Sequence, residues 1–329
     1  MAVFNLTPSD SSTFILTGIP GLEAAHMWIS IPFTVVYIIS LLGNFTVLFV
    51  IGKEKTLHKP MYLLLCMLAL TDISTSTSIM PKALCIFWFS FKDITVGGCL
   101  TQMFFLHAVS IMHSAVLVTM AFDRYVAICN PLRYATIITN ARIAKLGLMG
   151  LLRAVLFVLP LPLILSRLPF LNRMYGLVMA FVVVGSDLTL IALSYGLIIR
   201  AILRISSKKG HQKALNTCTA HICVIMISYP PGLFSTLTQR FGQGIAPYVH
   251  IILSNLCFLF PPMLNPIIYG VKTKELRDKV GKFTLAKYIC RMVLCPSFAE
   301  LSMVEIQSLR SSSHLTSYLS ITKHNPLRS

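Results

Sequence analysis

Seven stretches of this chain are long and apolar enough to cross a bilayer, and that number governs what it can fold into. A helix needs about 20 apolar residues to span the hydrocarbon core. The stretches are Met27–Ile51, Met61–Leu84, Cys99–Ile128, Ile143–Leu165, Met174–Leu203, Leu215–Leu237 and Tyr248–Val271. The third and fifth exceed the core thickness and must tilt or protrude. Only 12% of the 329 residues are charged, about half the share of a soluble domain. The solvent for most of the chain is therefore lipid, and the expected fold is an all-α membrane protein, a seven-transmembrane helix bundle.

The charges between the spans give the orientation. Lys53, Lys55 and Lys59 follow span 1, and Arg133, Arg142 and Lys145 follow span 3. Arg204, Lys208, Lys209 and Lys213 follow span 5, and Lys272, Lys274, Arg277, Lys279 and Lys282 follow span 7. The opposite connections carry few, chiefly Lys92, Arg167, Arg173 and Arg240. Cytoplasmic loops collect Lys and Arg, so the N-terminus is placed outside and the C-terminus inside. The net charge of +17 thus reports inner loops and argues against nucleic acid as a partner; the partner it implies is membrane lipid.

The expected domains are an extracellular N-terminus over 1–26, the bundle over 27–271, a short amphipathic helix over 272–287 and a cytoplasmic tail over 288–329. The amphipathic helix places Leu276, Val280, Phe283 and Leu285 among basic residues, as a helix on the inner surface does. Asn5 heads the sequon Asn5-Leu6-Thr7 on the glycosylated side. Cys290 and Cys295 are lipidation candidates. Nine cysteines show no metal spacing, and neither a metal site, a catalytic residue nor a cofactor is expected.

Ionisable residues inside spans are costly and point to function. At 1.5 Å per residue from Cys99, His107 lies roughly 12 Å deep, His113 roughly 21 Å and Arg124 roughly 37 Å. Asp72, counted from Met61, also reaches the middle. The result is an outer layer suited to binding, a middle polar site of Asp72 and His113, and an inner layer of Asp123 and Arg124 facing the cytoplasm. Asp187 in span 5 is a further buried acid.

Several motifs then become specific. Met120-Ala121-Phe122-Asp123-Arg124-Tyr125-Val126-Ala127-Ile128-Cys129, followed by Asn130-Pro131-Leu132-Arg133-Tyr134, resembles the signature of odorant receptors. So do Pro60-Met61-Tyr62, the run Lys213-Ala214-Leu215 with Thr217-Cys218 and His221, and Pro262-Met263-Leu264-Asn265-Pro266-Ile267-Ile268-Tyr269. The opening Leu16-Thr17-Gly18-Ile19-Pro20-Gly21-Leu22-Glu23 is similar to the class I, fish-like subset, whose members often recognise carboxylic acids. The resemblance covers residues 14 to 285.

It implies a G-protein-coupled receptor of the plasma membrane that acts through a heterotrimeric, olfactory-type stimulatory G protein and cyclic AMP. Arg124 would engage the G protein when its restraint by Asp123 loosens, with Tyr125, Tyr195, Asn265, Pro266 and Tyr269 repacking around it. Arg240 matches the arginine that pairs with carboxylate ligands, with Thr236 one turn below and His107 facing them. A transporter or channel is the alternative class. It predicts internal repeats and helices interrupted in matched positions, and the sequence has neither.

Two departures from the family stand out. His113 occupies a place where the family usually has glutamate, which together with the span 2 aspartate can hold sodium. The loop between spans 4 and 5 is also cut short. Leu168-Pro169-Phe170, which normally opens it, runs almost directly into Asn172-Arg173-Met174-Tyr175-Gly176, which normally closes it. The resemblance implies a disulfide between Cys99 and a cysteine of that loop, and here the partner is absent. Cys85 is the other cysteine near the outer face. The reading is therefore a receptor impaired by its shortened loop.

Overall fold

The computed structural model describes residues 13–16, 18–161, 169–205, 207–241 and 246–282, excluding the side chains of 169–173, 209, 213, 217, 239–241 and 247. Asn5, Cys290 and Cys295 lie outside the described residues. Seven principal helices are described: α1 (His26–Lys53), α2 (Pro60–Phe89), α3 (Val96–Cys129), α4 (Asn140–Val158), α5 (Pro169–Leu203), α6 (Lys208–Phe241) and α7 (Pro247–Lys272). Six are long and apolar enough to cross a membrane. The seventh, α4, is shorter and carries Arg142, Lys145 and Arg153. Residues 274–282 form a further helix, α8. The bundle belongs to a compact unit ending at Arg277.

Local chemistry sets the helix ends. Pro60 opens α2, where a missing N–H costs nothing. Ser90 closes it in the left-handed conformation with φ 53°. The Thr95 side chain caps α3 by accepting from the Gly98 N–H at 3.1 Å, and the Thr139 side chain caps α4 by accepting from the Arg142 N–H at 3.3 Å. α5 begins at Pro169, five residues before the expected start at Met174. Proline is favoured at the first position of a helix, and Phe170 to Arg173 continue it. Of the predicted fourth span, residues 162–165 lie outside the described residues.

Lipid as solvent explains which faces turn outward. On α4 the large residues Leu148, Leu152 and Leu156 are exposed, while Ile143, Gly150, Ala154 and Val158 are buried. Lipid tails give apolar side chains no reason to hide, so inward faces are chosen for close packing. A Cβ on Gly150 would meet Ala115 of α3 at 2.9 Å, and one on Gly43 of α1 would meet Pro266 of α7 at 2.8 Å. Those two glycines let the backbones approach.

α3 runs through the centre and touches α2, α4, α5 and α6, while α1 joins α2 to α7. At the outer end, strand β1 (Thr13–Ile15) pairs antiparallel with β2 (Asp93–Thr95), in register Thr13↔Thr95 and Ile15↔Asp93. This pairing was not expected from the sequence. It seats Leu16, Ile19 and Leu22 against Phe33, Ile86, Phe87 and Leu259, a cluster joining α1, α2 and α7.

Candidate functional site

The polar residues of the bundle form three layers. In the outer layer, the Nδ1 of His107 lies 2.8 Å from the Met103 carbonyl, and the Thr236 hydroxyl donates to the Gly232 carbonyl at 2.9 Å. Both bonds stay within their own helices. Arg240 stands in the last turn of α6, and its side chain lies outside the described residues. Cys99 and Cys85 are both free thiols.

The middle layer holds two networks. Asp72 is almost wholly buried. Asn265 of α7 donates from Nδ2 to its two carboxylate oxygens at 3.2 and 2.9 Å, and His113 of α3 brings Nδ1 to 3.5 Å from Oδ1. The expected meeting of Asp72 and His113 therefore occurs, and α7 joins it. The second network centres on Asp187 of α5, which is fully buried. Arg153 of α4 donates to both of its oxygens at 2.6 Å, and the Ser114 hydroxyl of α3 donates to one of them. The Ser114 and Tyr229 hydroxyls lie 2.6 Å apart, which brings in α6. Bidentate guanidinium–carboxylate bonds are among the strong ones, so four helices are tied here. Arg153, Ser114 and Tyr229 were not anticipated. An arginine eleven residues past Arg142, with apolar neighbours on both sides, was the available signal.

In the inner layer, Asp123 and Arg124 are buried and their charged atoms stand 3.6 Å apart. The phenol of Tyr134, at the start of the short helix Tyr134–Ile137 after α3, donates to Asp123 at 2.7 Å. Burial together with that carboxylate holds the Tyr134 phenol above the usual range for tyrosine. The Tyr195 hydroxyl lies 2.9 Å from Nδ1 of His221, linking α5 to α6. Tyr125 packs on Ile198, Ile202 and Cys218. The Tyr269 hydroxyl donates to the Met120 sulfur at 3.9 Å. Pro266 faces Gly43. At the inner surface, Glu275 at the start of α8 accepts from the Tyr62 hydroxyl at 2.6 Å and from Lys59 at 3.3 Å. The Tyr62 bond is the main reason its carboxyl is held below the ordinary value, and Lys59 adds to it.

The middle and inner layers join helices, and the inner arginine is held by an acid. The family profile described as Olfactory receptor matches residues 33–174 and 170–287. This chain belongs to the olfactory receptor family. Human Olfactory receptor 52P1 is 47% identical over 301 residues, covering 84% of this chain and 94% of that protein. Human Olfactory receptor 52N4 is 46% identical over 306 residues, covering 85% and 95%. Rat Olfactory receptor 51E2 is 44% identical over 294 residues, covering 82% and 92%. The receptor is a multi-pass protein of the cell membrane, and its family implies an odorant ligand and a G protein.

Along the aligned length, this chain is about 25 residues shorter than human Olfactory receptor 52P1. The two stretches matched by the family profile meet at residues 170–174.

Proposed function

We propose that this olfactory receptor answers small carboxylic acids, couples to a stimulatory G protein that raises cyclic AMP, and responds weakly because its α4–α5 connection is short. The observation that carries the ligand class is Arg240 in the last turn of α6, a cation placed at the outer end of the bundle. A guanidinium can hold a carboxylate through two parallel bonds, while apolar helix walls accommodate its hydrocarbon chain. The class I opening Leu16–Glu23 supports the same class. The break in the family match at residues 170–174 supports the shortened loop.

Cyclic-AMP assays with chain-matched acids and alcohols test the ligand class. Arg240→Ala is expected to weaken acids more than tenfold and alcohols far less, since a desolvated charge loses its partner. Equal losses for both would remove Arg240 from the binding site. Restoring the missing loop segment from a relative is expected to raise both surface level and sensitivity; no gain from it would refute the impairment.

A further inference from the structure

Beside Asp72 lies a small cavity between α1, α2 and α7, with room for a water-sized guest. Its polar lining consists of Asn44, Asp72, Asn265 and the Tyr269 side chain. Asn265 is 1% exposed and its Oδ1 has no hydrogen-bond partner. Its Nδ2 is already committed to Asp72. A buried amide oxygen in this position calls for a guest that can donate to it. The carboxylate beside it makes the same demand. A water molecule, which donates hydrogen bonds, and a small metal cation, which accepts lone pairs, both meet the size and the demand of the two oxygens, so charge decides between them.

His113 sets that charge. The Thr71 hydroxyl donates to the Leu68 carbonyl at 2.8 Å, so its oxygen can only accept from Nδ1 of His113, 3.3 Å away. Nδ1 therefore carries a proton and points it at Thr71 and at Asp72, 3.5 Å away. Nε2 lies 3.3 Å from the Ser228 oxygen of α6. The Ser228 hydroxyl can donate to Nε2 or accept from it, so the ring can take up a second proton without losing a partner. The groups around this ring are Asp72 and Thr71 from α2, Ser228 from α6 and, across Asp72, Asn265 and Tyr269 from α7. Arg124 and Arg153 are paired with Asp123 and Asp187. That leaves His113 as the basic side chain in contact with Asp72 among the described residues.

We propose that this cavity binds one water molecule, which donates to Asn265 Oδ1 and to Asp72, and that a proton on His113 balances Asp72 so that the site rejects metal cations. An unpaired carboxylate in mid-membrane is costly and invites a cation. A carboxylate already neutralised at 3.5 Å does not, because a second cation would face the first across a medium of low dielectric. Water has the two polar partners that a buried water needs.

The test uses the full chain in lipid nanodiscs without agonist, so its failure and the failure of the carboxylic-acid reading are distinguishable. Thermal unfolding is compared in sodium chloride and in N-methylglucamine chloride at equal ionic strength. The parent is expected to show equal midpoints. His113→Gln removes the internal cation, and sodium is then expected to raise the midpoint by about 2–4 °C. The double variant Asp72→Asn with His113→Gln is expected to lose that rise. A sodium-dependent rise in the parent, or none in His113→Gln, overturns the proposal. The sodium-23 line width needs no variant. Broadening by the parent that potassium reverses overturns the proposal, and a line width equal to that of empty nanodiscs supports it.

Discussion

Arg153→Met removes one half of the best-formed ion pair inside the bundle. In the parent, two guanidinium nitrogens each stand 2.6 Å from a carboxylate oxygen of Asp187. The Asp187 side chain is 1% exposed and that of Arg153 is 28% exposed. After the substitution Asp187 keeps only the hydroxyl of Ser114 and remains a buried charge. Breaking a buried pair from one side costs about 3–5 kcal/mol. The partial exposure of Arg153 moves the loss to about 3 kcal/mol, roughly a 150-fold change in the folded-to-unfolded ratio. Asp187→Leu should cost less, because the freed arginine already reaches the outside of the bundle. The double variant removes both charges, and replacing a buried pair by apolar groups is often neutral.

The four species form a double-mutant cycle, read by unfolding in lipid nanodiscs and by surface labelling in cells. The expected result is a double variant more stable than Arg153→Met alone. Additive losses, or a single-variant loss below about 0.5 kcal/mol, would show that the pair is not coupled and that the helices are held by apolar packing.

Arg124→Ala is expected to leave surface level near that of the parent and to abolish the cyclic-AMP response; signalling at the parent level would remove Arg124 from the coupling site. Cys99→Ser is expected to raise surface level without restoring sensitivity, because it removes a free thiol that can mispair outside the cell; a fall in surface level would mean that Cys99 pairs with Cys85 in the membrane. Tyr62→Phe is expected to cost under about 1 kcal/mol near neutral pH, since Glu275 is 57% exposed. The Glu275 carboxyl is held below its ordinary value, so this contribution is complete above 4.5 and is lost as pH falls through the lower folded value. Melting curves of the parent and of Tyr62→Phe should therefore converge in acid, and a gap that widens in acid would refute the assignment.

The spans were legible because lipid imposes a length and a composition that few other environments require. Their ends were less legible, because caps decide them. Ser90 ends α2 through a left-handed conformation that serine rarely adopts, and no sequence rule demands it there. The middle polar site could be read from depth alone, since Asp72 and His113 reach the same level on neighbouring helices. The Arg153–Asp187 pair could not, because its members lie on separate helices and depth does not tell which faces meet. The β1–β2 pairing was hidden by its size. Three residues on each side, some 80 apart in the chain, carry too little alternation to register as strands.

The outer end of the bundle is held differently on its two sides. On the α1–α2–α7 side, β1 pairs with β2 and Ile19 is fully buried beneath it. That cover comes from the N-terminal segment. On the α3–α4–α5 side, the tie seen among the described residues is the Tyr175 hydroxyl, which donates to the Phe157 carbonyl at 2.9 Å. Below it, Ala108, Ile111, Val158 and Val183 pack as a continuous apolar cluster. Packing and the Arg153–Asp187 pair therefore hold these helices together below the Tyr175 tie. On the proposed reading, such a chain would keep its topology and still bind poorly. Topology rests on contacts deep in the membrane, whereas the proposed carboxylate at Arg240 would depend on the exclusion of water at the rim, where a higher dielectric weakens the pair.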